Sequence, residues 1–429
     1  MRRVDVSRRS VLVRAVVVAL LLSLSLLGYS GYSAGSASAA PPSTGQAASP
    51  APAPTVTPAN DPFYTPSEPI GGLRPGAVIS SRVVTLGTNG TSLPATGTQL
   101  LYRTNDAFGA PSSTVTTIIS PPGSRPGTPR RMISYHEFYD ALGSQCDPSY
   151  TLRGGKSSSS AVDVTMIASM VSAGYTVVVP DYEGPNMRWT IGKESAHAAL
   201  DGIRAAQRFL RAPASTPVGL YGYSGGSIPT GFGAEIAPSY APELNLVGAT
   251  AGGVLVNPAH NLAYVNGTTR WSAVIPALMS VYDETYGIGI DKYLSPKGVQ
   301  VLGDIRGECI NNFLGKYPNL TDSSLLLPQY PSLLDVPGIP AAIKANVMGS
   351  LGTPRTPMML GVGDKDGRGD GVMLTADVVG LSRSYCARGL STSIHVYQGL
   401  DHAEALAPWT GDALAYLNDR FAGRPAPRC

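Results

Sequence analysis

The sequence predicts an α/β fold with a mostly parallel central sheet that is flanked by helices. Six segments look like buried strands, and most of them are continuous apolar runs, which is typical of strands buried on both faces of a parallel sheet. Segments with apolar residues at helical spacing lie between these runs, and such alternation indicates right-handed strand–helix–strand crossovers. One long stretch, residues 257–352, interrupts the alternation and predicts a helical insertion.

The first 39 residues have the three parts of a secretory signal peptide. Five arginines lie within the first 14 residues, an apolar run follows at 15–27, and residues 37–39 read Ala-Ser-Ala. The apolar run is short for a membrane anchor. The segment SRRSVL at 7–12 also resembles a twin-arginine export signal, so the general and the twin-arginine routes both stay open. We expect a secreted mature protein that lacks residues 1–39.

The charge of the expected mature chain argues against a polyanionic partner. Loss of residues 1–39 removes five arginines and Asp5, so the formal net charge changes from +3 to −1. A nearly neutral protein is not suited to binding nucleic acid or an anionic membrane surface. Residues 40–62 are rich in Pro, Ala, Ser and Thr and predict an extended linker. We expect the folded core to comprise residues 63–256 and 353–429.

The predicted strands and helices alternate through the core. The predicted strands are RMISY (131–135), YTVVVPDY (175–182), PVGLYGY (217–223), LVGATAGG (246–253), PMMLGVG (357–363) and TSIHVYQG (392–399). The predicted helices of the core are 161–174, 194–210 and 411–421, each with apolar residues that can share one face, and SIPTGFGAEIA at 227–237. Residues 257–352 contain two or more helices and no clear strand, which favours a cap or lid over a site. An ordinary surface layer of helices is the alternative.

A Gly-x-Ser-x-Gly motif at Gly222 to Gly226 marks a candidate nucleophile. The same motif at 31–35 lies in the signal segment, and a motif this short also arises by chance. Only Ser224 has a predicted strand before it and a predicted helix after it. This context is typical of a tight strand–turn–helix elbow, which exposes the serine at the carboxyl edge of the sheet. The backbone N–H of Gly225 would then be one donor to a developing oxyanion.

A serine hydroxyl needs a base, and His402 is the candidate. In this type of fold the chain order is serine, acid, histidine, and only His395 and His402 follow a candidate acid. His395 lies within a predicted strand, whereas His402 lies in the loop after it. The acid is expected in the loop DKDGRGDG after the preceding strand, which leaves Asp364, Asp366 and Asp370 open. A calcium loop is the alternative, but the ligand spacing of an EF-hand is missing, so no metal is expected.

The four cysteines favour two disulfides. An even number of cysteines in an exported chain is typical of a disulfide framework, with three possible pairings here. None of Cys146, Cys309, Cys386 and Cys429 has C-x-x-C spacing, so a zinc or redox site is not expected.

Four segments resemble the secretory lipases of the α/β-hydrolase fold. They are SYHEFYDALGSQCDPSY (134–150), GYSGG (222–226), PKGVQVLGDIRGEC (296–309) and the region 370–404, which contains DGVM, YCARG and DHAE. In that family the acid stands sixteen residues before a cysteine and the histidine sixteen after it. The resemblance therefore implies Asp370, with Asp366 as the alternative, together with His402. It also implies that Asp140, six residues before Cys146, contributes its backbone N–H to the oxyanion hole.

The resemblance also implies the disulfides Cys146–Cys309 and Cys386–Cys429 and a secreted lipase or carboxylesterase without a cofactor. Its partner would be a lipid or another ester, with transient contact to a lipid interface. Apolar side chains of the insertion, Trp271, Ile275, Leu278 and Met279, would line an acyl site or simply pack the helices. An acyltransferase or peptidase with the same triad, and a non-catalytic binding protein on this scaffold, are the alternative functions.

Overall fold

The computed structural model describes residues 56–88, 91–125, 127, 131–156 and 161–429. The predicted signal segment and most of the predicted linker lie outside these residues. A nine-stranded sheet runs through the molecule in the order β1-β2-β3-β5-β4-β6-β7-β8-β9. Its strands are β1 Val78–Thr88, β2 Thr91–Asn105, β3 Pro111–Ile119, β4 Met132–His136, β5 Thr176–Pro180, β6 Val218–Tyr223, β7 Leu246–Gly252, β8 Met358–Asp364 and β9 Thr392–Gln398.

The six strands β4 to β9 are parallel to one another and correspond to the six predicted strands. Both faces of the sheet are covered, because neighbouring residues of one strand belong to different apolar clusters. Val178 and Leu220 pack into one cluster, whereas Val177 and Tyr221 pack into the other. Burial on both faces is the physical reason why β4 to β8 are largely apolar in the sequence, whereas the edge strand β9 is mostly half-buried.

Strands β1 to β3 extend the sheet in antiparallel pairing and were not predicted. β1 reads VISSRVVTLGT and is mostly half-buried, with Val83 74% exposed. Serine, threonine and arginine lie between the apolar residues of β1, so its sequence contains no apolar run that would predict a buried strand. The sheet is therefore mixed, with its parallel part toward the carboxyl terminus.

Helices cover both faces of the sheet. They are α1 Pro148–Thr151, α2 Ala161–Ser172, α3 Gly192–Phe209, α4 Ser227–Tyr240, α5 Pro258–Val265, α6 Val274–Tyr286, α7 Pro296–Ile305, α8 Ile310–Phe313, α9 Asp322–Leu325, α10 Ile339–Ala345, α11 Thr375–Ala387 and α12 Leu406–Phe421. Apolar residues of α3 and α4 pack on one face, and those of α2 and α12 pack on the other. The last helix begins at Leu406 instead of the predicted 411, because Pro408 is tolerated in its first turn.

Residues 257–352 are all described and form helices α5 to α10 without a strand. The interior of this segment is apolar, since Leu278, Met279 and Tyr282 of α6 join the same cluster as α3 and α4. The segment therefore packs onto the core through its own buried helix faces. Among the described residues, no helix has the length and hydrophobicity that a membrane span requires.

Two disulfides cross-link the described chain in the pairing that the family resemblance implied. Cys146–Cys309 spans a sequence separation of 163 residues and joins the loop after β4 to residues beyond α7. Cys386–Cys429 spans 43 residues and joins α11 to the last residue. No described cysteine is free.

Candidate active site

Ser224 lies on a tight turn between strand β6 and helix α4. Its φ of +54° is unusual for a residue other than glycine, and such strain is often found at functional positions. The two flanking glycines are required by close approach of the backbone. A Cβ on Gly222 would lie 2.0 Å from the carbonyl oxygen of Gly226, and a Cβ on Gly226 would lie 2.1 Å from that of His136. The motif glycines therefore permit the turn that exposes Ser224.

His402 lies in the loop between β9 and α12, and its ring reaches the serine. Nε2 of His402 is 2.8 Å from Oγ of Ser224. The ring is only 6% exposed, and the edge of Trp271 packs against it with 5.3 Å between ring centroids. Behind it, the hydroxyl of Tyr223 donates to the His402 carbonyl at 2.6 Å. The imidazole is therefore held on several sides while one nitrogen faces the hydroxyl.

Asp370 contacts the other side of the imidazole. Its Oδ2 lies 2.8 Å from Nδ1 of His402, and its Oδ1 accepts the backbone N–H groups of Val372 and Met373 at 3.0 and 2.7 Å. The residue is 1% exposed. A buried carboxylate with these donors is suited to hold an imidazole and to stabilise an imidazolium.

The other two aspartates of the same loop make different contacts. Asp366 accepts the N–H groups of Arg368 and Gly369 and the hydroxyl of Tyr264. Asp364 is the last residue of β8, and its Oδ1 has no partner among the described residues. Neither forms a hydrogen bond with His402 in the described part of the chain. Also among the described residues, no group of three His, Cys, Asp or Glu side chains is arranged to hold a metal ion.

Asp140 and Gly225 meet beside the serine. Oδ1 of Asp140 is 1.7 Å from the position that a Cβ on Gly225 would take. Asp140 has a φ of +35°, which aspartate tolerates better than most residues. Among the described residues, its backbone N–H has no acceptor, while its carbonyl accepts the N–H of Ile310 at 3.0 Å. Asp140 lines the same pocket as Ser224.

The Asp140 carboxyl is itself buried and held by an indole. Nε1 of Trp189 donates to its Oδ1 at 2.7 Å. Burial raises the pKa of Asp140 to about 6, although the Trp189 hydrogen bond and the nearby His402 counteract part of this rise. The side chain is thus turned toward Trp189 and carries a weaker tendency to ionise than a free aspartate.

A largely apolar pocket opens from Ser224 toward the helical insertion. The cavity within it has a volume of about 60 Å³. Among the described residues of its lining, Asp140 is the only acidic or basic residue, and most of the remaining wall is apolar. The apolar lining includes Trp189, Ile228, Leu255, Leu262, Val265, Trp271, Val274, Leu278, Ile310, Val372 and Met373. Such a site fits an uncharged apolar group beside the hydroxyl.

The side chains proposed for an apolar wall divide into two groups. Trp271 and Leu278 line the pocket. Ile275 and Met279 do not, because both are fully buried within the cluster that packs the insertion onto the core. For these two residues ordinary helix packing was the correct interpretation.

Two of the other histidines, His136 and His395, make their contacts away from Ser224. Both ring nitrogens of His136 contact buried hydroxyls, those of Ser134 and Thr230, and burial lowers its pKa to about 3. His395 lies on edge strand β9, where its Nδ1 is 3.0 Å from Oδ2 of Asp412. Neither ring contacts Ser224, and the contacts of both rings are structural.

Sequence reasoning missed three residues that contact the candidate site. Trp189 holds the Asp140 carboxyl from 49 residues away. Asn261 and Tyr264, on α5, bind the segment that follows Asp370. No local motif predicts such long-range contacts, and a lone Trp or Tyr in an apolar segment is ordinarily a packing residue.

Comparison with known proteins decides the family. The family model described as "Secretory lipase" matches residues 154–428. The chain belongs to the secretory lipase family. A Mycobacterium tuberculosis protein named a probable inactive lipase is 34% identical over 377 residues, covering 85% of this chain and 82% of that relative. Lipase 10 of Candida albicans is 30% identical over 391 residues, covering 85% of this chain and 81% of that relative.

The structural comparison agrees. Candida antarctica lipase A in its closed state superimposes with a TM-score of 0.78 at 29% identity, covering 87% of this chain and 89% of the lipase. The fold is that of the α/β-hydrolase lipases, with the mostly parallel sheet and flanking helices described above. Family and fold together support a lipase or esterase.

Proposed function

We propose that this secretory lipase family member is an active serine ester hydrolase with Ser224 as nucleophile, His402 as base and Asp370 as the residue that orients His402. The observation that carries the proposal is the continuous pair of 2.8 Å contacts from Asp370 through His402 to the Ser224 hydroxyl. Ser224 also lines the apolar pocket, so an acyl group bound there would have its carbonyl close to the hydroxyl.

The proposed reaction proceeds through an acyl-enzyme. The Ser224 oxygen attacks the ester carbonyl while Nε2 of His402 takes the hydroxyl proton, and Asp370 stabilises the resulting imidazolium. The backbone N–H groups of Gly225 and Asp140 stabilise the oxyanion. His402 then gives the proton to the leaving alcohol. Water, deprotonated by the same imidazole, attacks the acyl-enzyme. The imidazolium then returns the proton to the Ser224 oxygen as the acyl–oxygen bond breaks, and the carboxylic acid is released. No step requires a cofactor.

A non-catalytic binding protein is the alternative from a different class. A relative is named a probable inactive lipase, and that name applies to that relative. In this chain the serine, the imidazole and the carboxylate are all present and in contact, which supports turnover. A peptidase or acyltransferase would use the same three residues, but the apolar pocket favours an ester with an apolar acyl group over a peptide backbone, which needs polar partners.

We also propose export of the protein and contact with lipid during turnover. The two disulfides support an oxidising compartment, and the arginine-rich, apolar amino terminus supports a signal peptide. We propose residues 257–352 as the cap of the site, since α5 and α6 supply part of the pocket wall.

A chain-length series of p-nitrophenyl esters tests the function. Wild-type protein with both disulfides intact should hydrolyse esters of apolar acids, and Ser224→Ala should lower kcat by at least about 10³-fold. Ser227→Ala is the matched control, because its buried hydroxyl has no partner among the described residues. Absence of turnover by folded, oxidised wild type across the series would favour the binding protein. Acyl transfer to an added alcohol or amine in preference to water would favour the transferase.

A further inference from the structure

Helix α5, the first helix of residues 257–352, is bound to the loop that carries Asp370 along one face. Asn261 Nδ2 donates to the Val372 carbonyl at 2.5 Å. The Tyr264 hydroxyl accepts the Gly371 N–H at 3.2 Å and donates to Oδ2 of Asp366 at 3.1 Å. Asn261 and Tyr264 are three residues apart in a helix, so they lie on the same face.

A third contact lies near the amino-terminal end of α5. Nδ1 of His260 lies 3.0 Å from Oδ1 of Asp377, the acidic residue in the first turn of α11. The helix is itself fixed at its start, since the Asn257 side chain accepts the Ala259 N–H and Pro258 occupies the first helical position. Helix α5 therefore binds the loop as a rigid element.

The bound segment is the one that orients the Asp370 carboxylate. Val372 and Met373 donate their N–H groups to Oδ1 of Asp370, and Oδ2 faces His402. Gly371 has a φ of +102°, a conformation open to glycine and therefore not fixed by local sterics. Tyr264 binds the N–H of Gly371, and Asn261 binds the carbonyl of Val372, so the two contacts lie on either side of the Gly371 Cα.

Burial makes the Asn261 contact specific. Asn261 is 7% exposed and lines the apolar pocket. A buried amide without a partner is destabilising, so the conformation in which its Nδ2 reaches Val372 is favoured over those in which it does not.

We infer that Asn261 and Tyr264 are positioning residues that act through Asp370: helix α5 fixes the turn 370–373 and thereby the carboxylate that orients His402. The inference rests on the proposed function. The inference gives residues 257–352 a second role beyond forming the pocket wall. The Asp370 carboxylate is oriented toward His402 only while α5 contacts the segment that follows Asp370. The inference also assigns a purpose to Asp366, which binds Tyr264 and not the imidazole.

Kinetics of Asn261→Leu and Tyr264→Phe test the inference. Asn261→Leu keeps the branched shape of the side chain and removes the donor, and Tyr264→Phe removes only the hydroxyl. Each should lower kcat by about tenfold to about a hundredfold, and KM should change little in Tyr264→Phe, because Tyr264 does not line the pocket. The acidic limb of the pH–rate profile should move to lower pH, because a loosened Asp370 stabilises the imidazolium less. Tyr317→Phe is the control, since its hydroxyl binds Asp304 in the same insertion and does not line the pocket.

Two further measurements separate positioning from folding and from the proposed function. In an Asp370→Asn background, Asn261→Leu and Tyr264→Phe should have no added effect on kcat, whereas an additive loss would overturn the inference. The low-field proton resonance of His402 Nδ1, assigned by its loss in His402→Ala, should shift or broaden in both variants and not in Tyr317→Phe. This resonance can be measured without turnover, so an unchanged signal would overturn the inference even if the protein hydrolysed no ester.

Discussion

Nδ1 of the His402 ring lies 2.8 Å from Oδ2 of Asp370. The backbone N–H of His402 also donates to the backbone carbonyl of Asp370 at 2.9 Å. The two residues are thus joined through both side chain and backbone. Asp370→Asn should leave the fold in place and lower kcat by about 10⁴-fold, because an amide can donate to Nδ1 and stabilise the wrong tautomer. Steady-state hydrolysis of a p-nitrophenyl ester measures the effect.

Asp412→Asn is the matched control for that substitution. It changes the carboxylate that faces His395 at 3.0 Å on the edge strand, so kcat should stay unchanged. Asp366→Asn should lower kcat less than about tenfold, since its amide oxygen can still accept a hydrogen bond. A larger loss with Asp366→Asn than with Asp370→Asn would mean that Asp366 is the acid.

Gly225→Ala should disrupt the proposed oxyanion hole. The added Cβ would lie 1.7 Å from Oδ1 of Asp140, so either the Asp140 loop or the Gly225 backbone must move. Loss of one oxyanion donor lowers kcat by about 10²–10³-fold, and we expect a loss of that size. Gly233→Ala in α4 is the control, because the nearest atom to its Cβ outside the helix backbone would be Leu220 Cδ1 at 3.9 Å. Equal activity of the two variants would argue against Gly225 as a donor.

Asp140→Asn should stabilise the protein in a pH-dependent way. Burial raises the pKa of Asp140 to about 6 from 3.8, so between these pH values the folded state binds more protons than the unfolded state. The free energy of unfolding of the wild type therefore falls as pH rises from about 4 to about 6, by about 3 kcal/mol at most. The amide does not titrate. The stability advantage of Asp140→Asn should grow through this window and then level off.

Urea unfolding at a series of pH values measures that difference. Since the proposed oxyanion donor is the backbone N–H of Asp140, Asp140→Asn should also keep ester hydrolysis within about tenfold of the wild type. A loss of 10³-fold or more would show that the carboxyl group itself takes part, and a stability difference independent of pH would contradict the raised pKa.

The two disulfides should differ in their effect on activity. In the chain-entropy model, replacing Cys146 and Cys309 by alanine lowers the free energy of unfolding by about 5 kcal/mol, and replacing Cys386 and Cys429 lowers it by about 4 kcal/mol. Only the first pair borders the Asp140 loop, where Asp140 accepts the Ile310 N–H and Ala141 pairs with Cys309. The first variant should therefore also lose activity at temperatures where it is folded. Equal activity losses would contradict this assignment.

The sequence predicted the parts of the fold that depend on burial on both sides. Strands β4 to β9 lie in the middle and carboxyl-terminal part of the sheet, and their apolar runs identified all six. The Ser224 elbow was also predictable, because its glycines are needed locally by the turn itself. Strands β1 to β3 were not predicted, since Ser and Thr interrupt their apolar residues; β1 is also partly exposed, although β3 is largely buried.

Contacts between distant segments set the limit of the sequence-based prediction. The residues alone left three aspartates open, and only the family spacing favoured Asp370. Nothing local indicated that Trp189 would hold Asp140, or that Asn261 would bind Val372 across 111 residues. These pairs depend on how the helical segments pack over the sheet, which neither periodicity nor a motif reports.

Labelling with a serine-reactive phosphonate tests the central claim most directly. The oxidised wild-type protein should take up one phosphonate per chain, peptide mass mapping should place it on Ser224, and uptake should stop in Ser224→Ala and slow strongly in His402→Ala. Stoichiometric labelling of another residue, or ester hydrolysis that persists in Ser224→Ala at the wild-type rate, would contradict the assignment of Ser224 as the nucleophile.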